Sequence, residues 1–237
     1  MSNTLVIIPT YNEKENIELI IRAVFSQKKE FDILIVDDTS TDGTYQIVQK
    51  LLVEFSNRLF LEIRKEKTGL GAAYVHGFKW ALCKEYQYII EMDADFSHPV
   101  EKLESLYNAC AKDDNDVSVG SRYIKGGKIN NWDKKRLLLS YLASKYVRII
   151  TGIPVKDTTA GFVCYKRTVL EKIDLEKIKF LGYAFQIELK FKAWKNNFKI
   201  VEIPITFTDR IRGKSKMNGS IISEAIFGVL KMKFMKN

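Results

Sequence analysis

The sequence predicts an α/β fold, a mostly parallel central sheet flanked by helices. Three observations lead there. Short apolar runs alternate with stretches of helical periodicity. The runs are near-continuous in apolar residues, as in strands buried on both faces, and polar turn-forming clusters follow them.

Residues 4–10 form the first strand, broken by Pro9-Thr10-Tyr11-Asn12-Glu13, and residues 16–26 a helix. Residues 32–38 are a second strand ending in Asp37-Asp38, followed by the turn-forming Thr39-Ser40-Thr41-Asp42-Gly43-Thr44. Thr41-Asp42-Gly43 is expected to cap the helix over 45–55. Residues 59–63 are a third strand, Gly69-Leu70-Gly71 opens another helix, and the fourth strand spans 88–95. A fifth strand, 117–119, leads into Gly120-Ser121-Arg122-Tyr123. Residues 132–151 read as a helix, 163–166 as a strand, 183–195 as a helix and 199–208 as a last strand. The expected organisation is one domain over 1–216 and an amphipathic, basic tail over 217–237.

Bulk properties narrow the function classes. A chain of 237 residues, 46% hydrophobic and 28% charged, can bury a core and is not disordered in composition. The net charge of +9 suits anionic partners: nucleotides, phosphorylated substrates, nucleic acid or an acidic membrane surface. Cys83, Cys110 and Cys164 are odd in number and widely spaced, which fits a reducing compartment rather than a disulfide frame or a zinc site. The start of the sequence lacks the pattern of a signal peptide, and no run reaches 18 apolar residues. A cytoplasmic protein is expected.

The fourth strand ends in Glu91-Met92-Asp93-Ala94-Asp95. On an extended backbone, residues two apart point the same way, roughly 6–7 Å from each other. Asp93 and Asp95 could therefore converge on a hard cation such as Mg²⁺ or Mn²⁺, with phosphate oxygens completing its shell. In parallel sheets ligands sit beyond the carboxyl ends of the strands. The clusters at residues 10–13, 37–38 and 93–95 are thus expected to share one crevice.

Assembled, these motifs resemble family 2 glycosyltransferases of GT-A fold, within them the dolichyl- and polyprenyl-phosphate mannose synthases. The resemblance runs from about Leu5 to about Met217. It rests on Ile8-Pro9-Thr10-Tyr11-Asn12-Glu13, on residues 36–44, on residues 69–73 and on Met92-Asp93-Ala94-Asp95-Phe96-Ser97-His98-Pro99. Gly120-Ser121-Arg122-Tyr123, residues 157–162, residues 182–188 and residues 210–216 complete it.

The resemblance implies that Pro9, Tyr11, Glu13, Val36 and Asp38 hold the donor nucleoside. Asp93, Ala94 and Asp95 would lie against the nucleotide sugar, with Asp93 and Asp95 as metal ligands and Asp95 the more direct one. Ser97 stands where some relatives have Gln, and its shorter side chain argues against direct metal contact. Arg210 and Lys216 belong to a loop that closes over the diphosphate, and Arg122 and Arg136 are expected to bind an acceptor phosphate. Asp95, Arg122, Arg136 and Arg210 would then carry catalysis. Asp157 could position a sugar or serve as a turn acid, and Gln186 and Glu188 are expected on a helix facing the site. His76 and His98 are expected at the surface or in caps, and Gly69 and Gly71 in a tight loop and close helix packing.

The reaction so implied is inverting transfer of a hexose, foremost mannose from GDP-mannose, to a polyprenyl monophosphate, with UDP-glucose as the alternative donor. A non-catalytic nucleotide-sugar-binding adaptor is the rival from another class, and the acid-lined strand ends argue against nucleic acid. A phosphate acceptor is already ionised and needs cations more than a general base. Its lipid requires a membrane surface, reached on the cytoplasmic face directly or through a membrane-anchoring partner protein. Two segments have the composition for an interface: residues 137–142 after Lys134-Lys135-Arg136, and the tail. Partial packing on the core is expected of the first, membrane contact of the second.

Overall fold

The computed structural model describes residues 2–66, 68–180, 182, 184–210 and 228–233. Strands β1 (Thr4–Thr10), β2 (Asp32–Asp37), β3 (Leu59–Ile63) and β4 (Tyr88–Glu91) alternate with helices α1 (Ile17–Phe25), α2 (Thr44–Glu54) and α3 (Leu70–Leu82). Then follow α4 (Leu103–Ala111), β5 (Val117–Ser121), β6 (Lys128–Asn130), α5 (Lys134–Thr151), β7 (Val163–Lys166), α6 (Arg167–Lys172), α7 (Ala184–Lys195), β8 (Ile200–Pro204) and β9 (Thr206–Thr208). The main sheet has seven strands in the order β3-β2-β1-β4-β7-β5-β8, and β6 pairs with β9 alongside it.

Every pairing in the main sheet is parallel except those of β7, which is antiparallel to both β4 and β5. Alternate residues of β1 and β2 supply two cores. Leu5, Ile7, Leu34 and Val36 face Tyr74 and Phe78 of α3 and Phe185 and Leu189 of α7. Val6, Ile8, Ile33 and Ile35 face Ile17, Ile20 and Val24 of α1, Val48 of α2 and Leu106 of α4. Burial on both faces explains why these strands read as unbroken apolar runs. A third cluster joins Val147 of α5 and Ile187 and Phe191 of α7 to Val229 and Met232 in the helical residues 228–233.

Two boundaries differ from expectation. β4 stops at Glu91 because its ladder with β1 and β7 ends there, so Asp93 and Asp95 lie in the turn beyond the strand. Their convergence follows from that turn, where Phe96 adopts φ 60° and the Asp95 carboxylate accepts the Ser97 N–H at 3.1 Å. The last strand divides at Ile205: Pro204, which has no N–H, ends β8 at the sheet edge, and β9 departs to pair with β6. Helix α4, strand β6 and helix α6 were not foreseen.

The two candidate interfacial segments differ from expectation in exposure, and residues 217–227 and 234–237 of the tail lie outside the described residues. α5 buries only Ser144 and Val147, while Leu137, Leu138, Leu139, Tyr141, Leu142 and Ile149 are exposed, Leu139 by 63% and Ile149 by 69%. Among the described tail residues, Val229 and Met232 are buried against the domain.

Candidate active site

The carboxyl ends of β2, β1 and β4 lie side by side, since these strands are adjacent and parallel. The residue after or near each end adopts a left-handed backbone: Asn12 (φ 56°), Thr39 (φ 56°) and Phe96 (φ 60°). For a β-branched residue such as Thr39 this conformation is costly, and such strain concentrates at functional sites. Because β7 runs antiparallel, with Val163 opposite Glu91, its entering turn at residues 157–162 reaches this same edge.

At the β1 and β2 ends, Asp37 is a structural clip. It is fully buried and accepts hydrogen bonds from Thr10 Oγ1, Ser40 Oγ and Ser40 N, each at 2.7 Å. Asp42 caps α2 by accepting from Thr44 N at 3.0 Å, with Gly43 in the left-handed N-cap position. Asp38 pairs with Arg64 at 2.7 Å, Glu13 accepts from the Asn16 amide at 3.0 Å, and Pro9 and Tyr11 are half-buried. The side chain of Val36 is enclosed in the core beneath α3, and that of Ala94 in the opposite core. Neither methyl group faces the crevice, so only their backbones remain for a nucleotide to meet.

A cavity of about 770 Å³ extends from Asp93 and Asp95 to the flank of α5. Asp95 is buried, and its Oδ2 lies 3.2 Å from Arg210 Nη2. Asp93 keeps 38% of its side chain exposed and accepts a 3.4 Å hydrogen bond from the Tyr74 hydroxyl. Desolvation, with the Asp95 charge adding to it, pushes the Asp93 carboxyl above the usual range, against the pull of Arg210. A dication would relieve that crowding. Among the described residues no third His, Cys, Asp or Glu joins the pair, so a metal here would take its other oxygens from a ligand. That donor set fits Mg²⁺ or Mn²⁺ held by carboxylates and phosphates.

His98 lies in this site and not at the surface. It is buried, stacked 5.0 Å from Phe162, and its Nδ1 accepts the Asp93 N–H at 3.0 Å. Burial lowers its pKa, so the ring is neutral and its proton resides on Nε2, 3.9 Å from the Asp93 carboxylate. Sequence gave no partner for it because the contact depends on the turn at Phe96. His76, as expected, is at the surface, 3.0 Å from Glu62.

Along the same cavity Arg122 is 8% exposed and Asp157 0%. Arg122 donates from N and Nε to Asp157 Oδ2 at 2.9 and 2.7 Å, and from Nη2 to Oδ1 at 2.6 Å and Thr159 Oγ1 at 2.9 Å. Burial works against the guanidinium charge, but Asp157 outweighs it and holds Arg122 charged. The guanidinium lies over the rings of Tyr123, Trp132 and Phe207 at 5.2–5.5 Å. Asp157 is therefore the anchor of Arg122, and its two oxygens are committed to that task.

Arg136 is 2.6 Å from Asp209 and its guanidinium 4.1 Å from the centre of the Trp132 ring. Arg122, Arg136 and Arg210 thus line one cavity with Asp93 and Asp95. Gln186 lines it as well. Glu188, two positions along α7, points elsewhere and accepts the N–H groups of Lys179 and Phe180 at 2.9 and 3.1 Å. Gly71 serves close packing: a Cβ there would lie 2.8 Å from the Phe185 side chain and 2.9 Å from the Phe180 carbonyl oxygen. Lys216 lies outside the described residues. Trp132, Thr159 and Phe207 are site residues that sequence reasoning missed, although Trp132 sits two residues before the recognised basic cluster.

Comparison with known proteins agrees with this architecture. The glycosyl transferase family 2 model matches residues 5–174. The chain is 48% identical over 226 residues to polyprenol monophosphomannose synthase of Mycolicibacterium smegmatis, covering 95% of this chain and 85% of that protein. It is 41% identical over 227 residues to undecaprenyl-phosphate mannosyltransferase of Micrococcus luteus, covering 96% and 92%. A mannosyltransferase of Pyrobaculum calidifontis, solved with GDP-Man and Mn²⁺, superimposes with a TM-score of 0.63 at 18% identity, covering 90% of this chain and 58% of its own. Glucosyl-3-phosphoglycerate synthase of Mycobacterium tuberculosis, solved with Mn²⁺, UDP and glucosyl-3-phosphoglycerate, gives 0.69 at 14%, covering 99% and 81%. Fold, site geometry and relatives converge: the chain has the GT-A fold and belongs to glycosyl transferase family 2.

Proposed function

We propose that this protein transfers mannose from GDP-mannose to a polyprenyl monophosphate, with inversion at the anomeric carbon by one in-line displacement. The observation that carries this reading is the composition of the cavity. Asp93 and Asp95 share one cavity with Arg122, Arg136 and Arg210, and Leu139, Leu142, Val147 and Ile187 supply apolar wall to it. A phosphate head and an isoprenoid tail match that combination of surfaces. The relatives named for transfer to polyprenol, undecaprenyl and dolichol phosphates point the same way.

The donor nucleoside is assigned to Pro9, Tyr11, Glu13, Asp38 and the backbone at Val36, and its diphosphate to Asp93, Ala94, Asp95, Arg210 and Lys216. Asp93 and Asp95 would hold Mg²⁺ or Mn²⁺, which would act as Lewis acid and template for the departing diphosphate. Arg122 and Arg136 bind the acceptor phosphate. Two phosphate charges 4 Å apart repel by about 4 kcal/mol at an effective dielectric of 20, and the guanidinium groups offset that cost. Held by Asp157 and Asp209, both arginines are oriented before substrate arrives.

No helix among the described residues is long and apolar enough to cross a membrane. The exposed leucines of α5, flanked by Lys134, Lys135, Lys145 and Arg148, suit docking onto an anionic bilayer, where the cavity would receive the lipid. The free thiols of Cys83, Cys110 and Cys164 are in keeping with the cytoplasmic face. Anchoring through α5 makes a separate membrane-anchoring partner protein unnecessary to the reading.

The test incubates purified protein with polyprenyl phosphate, Mg²⁺ or Mn²⁺, and radiolabelled GDP-mannose or UDP-glucose. Label is expected in the lipid phase from GDP-mannose, and Asp95→Ala is expected to lower the rate at least a hundredfold, about 2.7 kcal/mol of barrier. Lipid label from UDP-glucose alone would reassign the donor, and none from either would refute the proposal.

A further inference from the structure

Beneath the cavity lies a pair of ionisable groups that the transfer does not use. Lys190 of α7 and Glu91 at the end of β4 are both 0% exposed. Lysine and glutamate are almost never enclosed to this degree without a reason. The Lys190 ammonium donates to the Ala160 carbonyl at 2.7 Å and to Gln186 Oε1 at 3.3 Å. Neither oxygen of Glu91 meets a hydrogen bond of ordinary geometry among the described residues, and the groups that favour its charge are the Lys190 ammonium and the Gln186 side chain. Lys190 in turn feels Asp157, Arg122 and Glu202.

Ala160 belongs to the turn that enters β7. That turn is closed by the Ala160 N–H on the Asp157 carbonyl at 3.4 Å, and Asp157 N donates to Glu202 at 2.9 Å. On the same turn Thr159 Oγ1 receives Arg122 Nη2 at 2.9 Å. One short chain of contacts therefore runs from Lys190 through Ala160 and Thr159 to the guanidinium. We infer that Lys190 is a positioning residue: its ammonium fixes the Asp157–Ala160 turn and thereby the aim of Arg122. The link to acceptor binding rests on the reading of Arg122 given above.

Two readouts separate the claims. The first needs no substrate: proton exchange at the Arg122 Nε–H, followed by ¹⁵N NMR and assigned with Arg122→Lys. Lys190→Met, which keeps the volume and deletes the charge, is expected to speed that exchange at least fivefold. The second is kinetic: the KM for a short-chain polyprenyl phosphate is expected to rise about tenfold, with the GDP dissociation constant in Mn²⁺ changing less than threefold. Thr159→Val, which leaves the buried pair intact, is expected to shift both readouts the same way and serves if Lys190→Met does not fold. Unchanged exchange in a folded variant would overturn the positioning role. Faster exchange in Lys190→Met, with wild-type protein that transfers no mannose, would refute the function and leave the positioning standing.

Discussion

The Arg122–Asp157 pair offers a quantitative test of the site. Asp157→Asn keeps the size of the side chain and removes its charge. Three hydrogen bonds from Arg122 then end on a neutral amide, and one N–H or more faces an NH₂ group. Arg122 is 8% exposed, so water cannot replace the lost anion. Stranding one member of a buried ion pair costs about 3–5 kcal/mol. At about 2–4 °C per kcal/mol for a chain of this size, the Tm should fall by about 6–20 °C. Thermal unfolding followed by circular dichroism measures this directly. Arg122→Met with Asp157→Asn removes the stranded charge and should recover most of the lost stability, yet stay inactive with polyprenyl phosphate. A Tm within 1 °C of wild type for Asp157→Asn alone would refute the reasoning that this pair is desolvated and mutually dependent.

Two further perturbations probe the scaffold. Gly71→Ala places a Cβ 2.8 Å from Phe185 and 2.9 Å from the backbone oxygen of Phe180. Overpacking costs about 1–3 kcal/mol, set against about 1 kcal/mol gained in helix propensity, so urea denaturation should show a net loss of up to about 2 kcal/mol. A gain in stability would show that α3 and α7 are less tightly packed than the structure has them. The second concerns pH. Burial pushes the Glu91 carboxyl from 4.5 up to about 8 and the Lys190 ammonium from 10.5 down to about 8. Between pH 4.5 and 8 the folded chain retains a proton that the unfolded chain releases, so stability falls as pH rises. Between 8 and 10.5 the unfolded chain binds the extra proton, and the Lys190 contribution rises with pH. Glu91→Gln should flatten the decline of Tm between pH 5 and 8, and an unaltered slope would refute the assignment.

How far the sequence reached differs between the two halves of the site. The half assigned to the donor was visible as a cluster because β1, β2 and β4 carry polar residues within a few positions of each strand end, and parallel strands align those ends automatically. The half assigned to the acceptor was legible only as separate motifs. Arg122 and Asp157 are 35 residues apart, and their union depends on β7 entering antiparallel, a reversal no periodicity encodes. Val36 shows the converse case, a motif residue whose side chain belongs to the core.

The sequence by itself determined the alternation of strands and helices, the two-faced burial of the sheet and the alignment of polar strand ends. Each of these follows from local pattern, because side-chain period and turn chemistry act over a few residues. Tertiary structure alone decided which charges meet. It set Asp157 under Arg122, Asp209 against Arg136, His98 behind Asp93 and Lys190 beneath the Ala160 turn. It also decided which amphipathic segment stays exposed, since α5 finds little to pack against while Val229 and Met232 find α7. Desolvation, which makes these pairings consequential, is a property of the assembled core and not of any stretch of sequence.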